Sequence, residues 1–412
     1  MRRSMSFPAT TRMKKSPATL LAVLLTGALV SVLVPSANAA TTSVAVKSKC
    51  TKSGELAVAK KTGATLKCDG KKWRGYKAAT SVLAIASAAF SPKEEFAIFA
   101  VPKNLGYFKA ENLTVSAVPS TGSIDVVNIV SSGRADVGVA DLGSAMQGIE
   151  KGARIRIVGG LVQNFPWAMA TNPAANIKSA ADLKGKKIGI IGFGSGSYPY
   201  TKAWLAGNGL AESDVTLVAT GSAIAPATEA LMKGDVDAIA YYTAVYASSE
   251  FLGTKYSYLP NPAALTGVRS LSWIVNSAKY KEDPEVYERL IRAANKGLVY
   301  SSTNLKAAVL LGYQEFPALL AGATVESKVP AAMAGLKAWL ASATPTTGKP
   351  ASWSNLSNIS AEDWKKSQDY TKAAGTIVSD IDLEVFLDRA LVQRVNAYDR
   401  KAVVAAANKQ PK

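Results

Sequence analysis

From Ser81 onward, short apolar runs alternate with stretches in which apolar positions recur every three or four residues. The runs predict strands at Ser81–Ser87, Leu113–Pro119, Asp136–Asp141, Arg154–Val162, Lys186–Ile191, Val215–Ala219 and Val236–Tyr241. The first helix is predicted to start at Ser91-Pro92-Lys93-Glu94, where Ser at the N-cap, Pro at the first helical position and Glu at the third form a capping box. Pro102 must end or kink that helix. A second helix spans Ser123–Ser132 and closes at Gly133. Strands alternating with helices argue for an α/β fold with parallel-rich sheets covered on both faces. After a strand at Leu271–Asn276 the pattern turns helical. Asp283-Pro284-Glu285 starts a helix with Val286, Leu290, Ala294 and Leu298 near one face. Further helices are predicted at Asn304–Glu315, Glu326–Ala341, Ala361–Ala374 and Leu383–Ala407, with Thr344–Asn358 a loop between them.

One segment repeats. Val118 to Val139 and Val218 to Ala240 each read as strand, Thr-Gly-Ser, helix, then Gly-x-x-Asp leading into a strand. Gly133 with Asp136 and Gly234 with Asp237 occupy matching places, each Gly at the position past a helix end where a left-handed backbone is needed. Two such units about 100 residues apart predict two similar lobes, and the two Asp are expected to be structural.

The start of the chain breaks this pattern. Arg2, Arg3, Arg12, Lys14 and Lys15 precede a mostly apolar run from Ala18 to Val34, then Pro35 and Ala37-Asn38-Ala39. Residues 1–39 therefore read as an export signal cleaved near Ala39, with a retained anchor as the alternative. The whole chain carries a net charge of +18, of which the signal holds five positive charges. Residues 40–80 hold ten Lys and Arg against Glu55 and Asp69, so the basicity is local and the remaining body is nearly balanced. This stretch also holds the only two cysteines, Cys50 and Cys68, with Trp73 and Tyr76 after them. Export and the lack of a core predict a Cys50–Cys68 disulfide, worth roughly 3 kcal/mol in the chain-entropy model, with Trp73 packed against it. The basic stretch is either a solvated spacer or a surface for anionic wall polymer or lipid headgroups. Nothing in it reads nucleic acid.

The 412 residues include no His, which excludes a Ser-His-Asp triad, a His general base and a His-ligated metal. Two Cys cannot hold a four-thiolate zinc or an iron–sulfur cluster, and no cofactor is implied. No pair of acids has a spacing that demands acid–base work. Gly192-Phe193-Gly194-Ser195-Gly196-Ser197 lies between a strand and a helix but lacks the Lys of a phosphate loop and the third Gly of a dinucleotide turn. A helix entry with free N–H groups suits a polar group. In open α/β sheets ligands bind beyond the carboxyl ends of the strands. That places Phe90 and Ser91, Thr121-Gly122-Ser123, Asp141 with Ser144, Trp167, Ser195, Ser197 and Tyr198, and Tyr241 and Tyr242 as candidate ligand-binding residues. Trp273 on the returning segment and Arg269 beside it complete the set. The alternative for each aromatic is a place in the core, and for Arg269 a place on the surface.

Gly106-Tyr107-Phe108-Lys109-Ala110-Glu111-Asn112-Leu113-Thr114-Val115, Gly133-Arg134-Ala135-Asp136-Val137-Gly138, Asp182-Leu183-Lys184-Gly185-Lys186-Lys187-Ile188-Gly189, Gly234-Asp235-Val236-Asp237-Ala238 and Asp283-Pro284-Glu285 follow one another along the chain. In that order they resemble the signature of ABC-importer solute-binding proteins, in the sulfonate/nitrate/taurine and thiamine-precursor branch. The likeness covers about residues 81–310; Asn112 stands where Gly is usual, Pro102 interrupts the first helix, and residues 40–80 fall outside it. The resemblance implies a two-lobed periplasmic-binding-protein fold of type II with a hinge and a helical C-terminal region. Residues 81–170 would open the first lobe, 171–270 form the second, and 271–412 return to the first. It implies an exported monomer, not an enzyme, that captures a sulfonate-like anion or a planar heterocycle and delivers it to a membrane permease. A surface sensor with the same fold is one alternative. A thiamine-pyrimidine synthase is another, but that group depends on a His and a Cys-rich motif that this chain lacks.

Overall fold

A computed structural model describes residues 43–52, 55–59, 65–75, 79–88, 90–388 and 390–411. The expected signal, its cleavage point and Tyr76 lie outside them. The chain divides into two compact units between Lys77 and Ala78.

The N-terminal unit is a four-stranded sheet in the order β1 (Ser43–Val44), β2 (Leu56–Ala59), β3 (Thr65–Cys68) and β4 (Trp73–Gly75). Alternation along β3 and β4 buries Leu66, Cys68 and Trp73 and turns Lys67 and Arg74 outward. Cys50 and Cys68 form a disulfide with their Cα atoms 5.9 Å apart. Trp73 is the cross-strand neighbour of Cys68, so the indole covers the bridge in a core too small to hold by apolar burial alone.

The second unit holds two five-stranded sheets of matching topology. The first contains β5 (Thr80–Ile85), β6 (Leu113–Val118), β7 (Val137–Asp141), β8 (Ile155–Gly160) and a late strand, β14 (Leu271–Asn276), in the order β6-β5-β7-β14-β8. The second contains β9 (Trp167–Thr171), β10 (Lys187–Ile190), β11 (Thr216–Ala219), β12 (Ala238–Tyr242) and β13 (Ser257–Leu259), in the order β11-β10-β12-β9-β13. In each sheet three adjacent parallel strands, starting from one edge, are followed by one antiparallel strand, β14 or β9, which arrives from the other lobe. Residues 161–166 and 260–270 are thus the two crossings.

The repeat has a shared physical role. The Asp136 carboxylate accepts the Leu83 N–H at 2.7 Å, and Asp237 accepts the Lys187 N–H at 2.9 Å. Each pins the turn ahead of the third parallel strand of its lobe, β7 or β12, to the first, β5 or β10. Gly133 and Gly234 adopt φ +75° and +81° as their positions require. Asn112, where the family pattern has Gly, also takes a left-handed backbone, φ +56°, which Asn tolerates better than most residues.

Several local expectations change. The first helix begins at Glu94 rather than within a Ser91 capping box. It opens as a π-helical turn, Phe96–Ala100, and continues as α1 (Val101–Asn104). Pro102 has no N–H to donate, and the wider turn absorbs that loss in place of a break. After α2 (Tyr107–Ala110), the lobes carry α3 (Ser123–Ser131) and α4 (Leu142–Glu150), then α5 (Ser197–Gly207), α6 (Ile224–Lys233) and α7 (Thr243–Phe251). The C-terminal region comprises α8 (Ser277–Glu282), α9 (Pro284–Thr303), α10 (Leu305–Glu315), α11 (Val325–Ala343) and α12 (Ala361–Ala373). The single helix expected over 383–407 is three: α13 (Leu383–Phe386), α14 (Leu391–Val395) and α15 (Arg400–Asn408). Leu387 is drawn out as a β-bridge to Ile157, and Asp399 caps a fresh start at α15. Among the described residues no helix is long and apolar enough to cross a membrane.

Candidate functional site

The carboxyl ends of the parallel strands of both lobes converge on one cavity of about 620 Å³, its mouth included. The first lobe supplies Ser87 after β5, Thr121-Gly122-Ser123 after β6 and Asp141 at the end of β7. The second supplies Ile191, Ser195 and Gly196 after β10, Ser222 after β11 and Tyr242 at the end of β12. The antiparallel strands run the other way, so they present their first residues: Trp167 of β9, and Ser270 and Leu271 at the entry to β14. Val162 and Pro166 come from one crossing and Trp339 from α11.

The wall is mainly apolar and aromatic. Trp167 stacks on Tyr200 with ring centres 5.9 Å apart and meets Tyr242 edge-on at 5.7 Å. These contacts fix both rings before anything binds. Alternation along β12 sends Tyr242 to the cavity and its neighbour Tyr241 into the second-lobe core.

Charge enters at one corner. Lys93, Glu94 and Glu95 are all buried, and Lys93 Nζ bonds Glu94 Oε1 and, at 2.6 Å, Glu95 Oε1. Ser87 Oγ donates to the same Glu94 oxygen at 2.9 Å. Burial works against the Lys93 charge, but the two carboxylates outweigh it and hold the ammonium protonated well above its ordinary range. Burial, reinforced by the Glu94 charge, pushes the Glu95 carboxyl above its ordinary range. Asp141 is 4% exposed and raised by burial to about 6. Its Oδ1 accepts the Gly143 N–H at 3.0 Å, capping α4, and its Oδ2 accepts the Ser270 hydroxyl at 3.1 Å.

The lobes touch across the cavity. A Cβ at Gly122 would stand 2.6 Å from the Gly194 carbonyl oxygen, and one at Gly196 would stand 3.6 Å from Asp141 Cβ.

Of the sequence candidates, Thr121, Gly122, Ser123, Asp141, Trp167, Ser195 and Tyr242 lie on this wall. Phe90 and Ser91 line an adjoining recess that shares Lys93, Ser222 and Tyr242 with it. The others sit elsewhere. Trp273 is fully buried between Val139 and Gly159 and edge-on to Phe99, because it stands two residues past the cavity edge, inside the sheet. The Tyr241 hydroxyl bonds Thr220 at 2.8 Å and donates to the Gly221 carbonyl. Ser197 Oγ accepts the Ile191 N–H, and Ser144 is held in the first turn of α4 by Asp141. Tyr198 lies on the lobe surface against Phe193, bonded to Glu212. Arg269 pairs with Asp363 at 2.7 Å and donates to the Gln163 carbonyl, tying the two crossings and α12 together. Ser87, Lys93, Glu94, Ser222, Ser270 and Trp339 were not among the candidates. Among the described residues no three His, Cys, Asp or Glu side chains cluster as a metal site.

Comparison with known proteins agrees with this architecture. The alkanesulfonate-binding protein SsuA from Xanthomonas axonopodis pv. citri, solved bound to MOPS, superposes with a TM-score of 0.58 at 17% identity, over 76% of this chain and 100% of that one. The riboflavin-binding protein RibY of Chloroflexus aurantiacus is 25% identical over 313 residues, 72% of this chain and 82% of its own. The 4-amino-5-hydroxymethyl-2-methylpyrimidine phosphate synthase of Schizosaccharomyces pombe is 28% identical over 133 residues, 32% of this chain and 37% of its own. The family model described as NMT1/THI5 like matches residues 93–308, from the buried Lys93 corner through the strands from β6 to β14 and into α10. With more than half its length matched and a periplasmic-binding-protein fold, the chain belongs to the NMT1/THI5-like family.

Proposed function

We propose that this protein is an exported solute-binding protein that closes its two lobes on a small planar heterocycle and presents it to an ABC permease. The observation that carries this reading is the cavity wall, where Trp167 and Tyr242 stand at strand ends of the second lobe and Trp339 of α11 joins them, between two lobes linked by two crossings. Aromatic faces in an apolar cleft suit a flat ring. A sulfonate-like anion is the weaker fit. Lys93, the cation on this wall, is already held between two carboxylates, and the start of α4 is capped by Asp141. The relative named as a riboflavin-binding protein supports the same class of ligand.

Binding without turnover is part of the proposal. The chain has no His, and its two Cys are joined in the N-terminal unit, although some relatives are named as synthases. A thermal-shift screen of flavin-like compounds, pyrimidines, nitrate and sulfonates tests the ligand class. A ring compound at 100 times its Kd adds about 2.7 kcal/mol. Stabilisation by sulfonates alone would refute the heterocycle reading, and a chemically altered ring recovered after incubation would refute binding without turnover.

The N-terminal unit is proposed to hold anionic wall polymer. Lys49 lies directly opposite Lys72, and Lys67 opposite Arg74, whose guanidinium pairs with Asp69 at 2.9 Å; all four are exposed. Like charges facing across strands, as at Lys49 and Lys72, cost stability in a sheet this small, which favours binding of a polyanion there. Co-sedimentation with purified wall that persists unchanged after Lys49, Lys67, Lys72 and Arg74 are replaced by Gln would refute it.

A further inference from the structure

Two polar atoms on residues of the cavity wall have no hydrogen-bond partner among the described residues: Glu94 Oε2 and Trp167 Nε1. Glu94 is 1% exposed and Trp167 8% exposed, so bulk water does not serve them freely. Leaving such buried groups unmet costs folding free energy, and most for a charged group. The Glu94 carboxylate is also lopsided. Its Oε1 accepts from both Lys93 and Ser87, while Oε2 accepts from nothing. Glu95 Oε2 is unmet as well, but that residue does not line the cavity.

We infer that Glu94 Oε2 and Trp167 Nε1 are the polar reading heads of the cavity, so the solute is a ring that carries an N–H donor for Glu94 and a carbonyl or ring-nitrogen acceptor for Trp167. An acceptor-only carboxylate and a donor-only indole define such an edge, as in a cyclic imide or an amino-substituted azine. The ring is neutral or cationic, since an anion would bring its charge towards Glu94. This rests on the heterocycle reading above and deepens it by naming the functional group.

The test measures the affinity of the intact protein by calorimetry for four probes: lumichrome, its ring-imide N-methyl derivative, 4-aminopyrimidine and MOPS. A site built to meet an N–H rejects the analogue that lacks it, so methylation is expected to weaken lumichrome at least tenfold. Trp167→Phe, which keeps a ring but removes the N–H, is expected to weaken lumichrome several-fold. Glu94→Gln is expected to weaken it about tenfold. Equal affinity for lumichrome and its methyl derivative overturns the inference while leaving the heterocycle reading in place. Binding of MOPS alone, or of no probe, overturns both. If Glu94→Gln fails to fold because Lys93 has lost a partner, the methylation pair and Trp167→Phe still decide the matter.

Discussion

Replacing Gly122 by Ala tests closure of the lobes at a single atom. The added Cβ would stand 2.6 Å from the Gly194 oxygen, 3.1 Å from the Gly194 carbonyl carbon and 3.5 Å from Ser195 Cα. All three are backbone atoms of the opposite lobe, so no side chain can swing aside. Even a close C–H···O contact keeps the atoms about 3.3 Å apart, which leaves an overlap of about 0.7 Å. Overpacking of this kind costs roughly 1–3 kcal/mol, or about a 5- to 150-fold loss of affinity if it falls only on the closed state. Gly122 also sits at φ +158°, a backbone that an L side chain rarely adopts, and Ala at the N-cap of α3 weakens that helix by up to about 1 kcal/mol. That part acts on both states, and unfolding of the ligand-free protein measures it separately. Gly194→Ala is the control, because no atom lies within 4 Å of where its Cβ would be. Calorimetry on both variants with lumichrome should show a large loss for Gly122→Ala and little for Gly194→Ala. Unchanged affinity for Gly122→Ala would mean the solute binds with the lobes apart, and the closure mechanism would be wrong.

Trp273→Ala should lower stability by about 3–5 kcal/mol, the cost of emptying a core Trp site, and leave the affinity of the folded fraction unchanged; reduced affinity without destabilisation would contradict its place in the core. The Asp141 carboxyl titrates at about 6 against an ordinary 3.8. The folded state therefore holds this proton more tightly, so its stabilising contribution is full below about pH 4 and lost as pH rises through 6, roughly 3 kcal/mol in all. Asp141→Asn should flatten the fall in stability between pH 4 and 6, as read by urea unfolding, and a profile identical to the parent would contradict the burial argument. Reduction of Cys50–Cys68 should unfold the N-terminal sheet and leave solute affinity intact, since the cavity lies wholly in the second unit. Loss of solute binding on reduction would show that the two units are coupled.

Much of the fold could be read from local pattern because each lobe repeats one unit. The Gly-x-x-Asp turns mark their own positions, since only a left-handed residue ends the helix there and the Asp reaches back to the first strand. The strand-end rule located Thr121-Gly122-Ser123, Asp141 and Tyr242 for the same reason. Trp273 lies off this wall because β14 is antiparallel, so the cavity meets its first residue and not its third, and Arg269 lies off it because Asp363 and the Gln163 carbonyl hold its guanidinium. The short strands β9 and β13 gave no periodic signal, and their identity depends on the chain changing lobes. Lys93 and Glu94 were hidden by a coincidence of pattern. Ser-Pro-Lys-Glu satisfies a capping box, yet Ser87 and Lys93, one before and one within that motif, take the Glu94 carboxylate instead. Trp339 comes from a helix far along the chain, and no spacing in the sequence links it to the strand ends.

Whether the cavity between the two sheets holds a flat ring against Trp167 and Tyr242 is decided by a crystal structure of the protein grown with lumichrome. The ring is expected in contact with Trp167 and Tyr242, its imide edge at Glu94, and the Gly122 turn closed against Gly194. Ring density confined to the surface recess of Ile124, Asn128 and Gln147, with the central cavity empty, would contradict it.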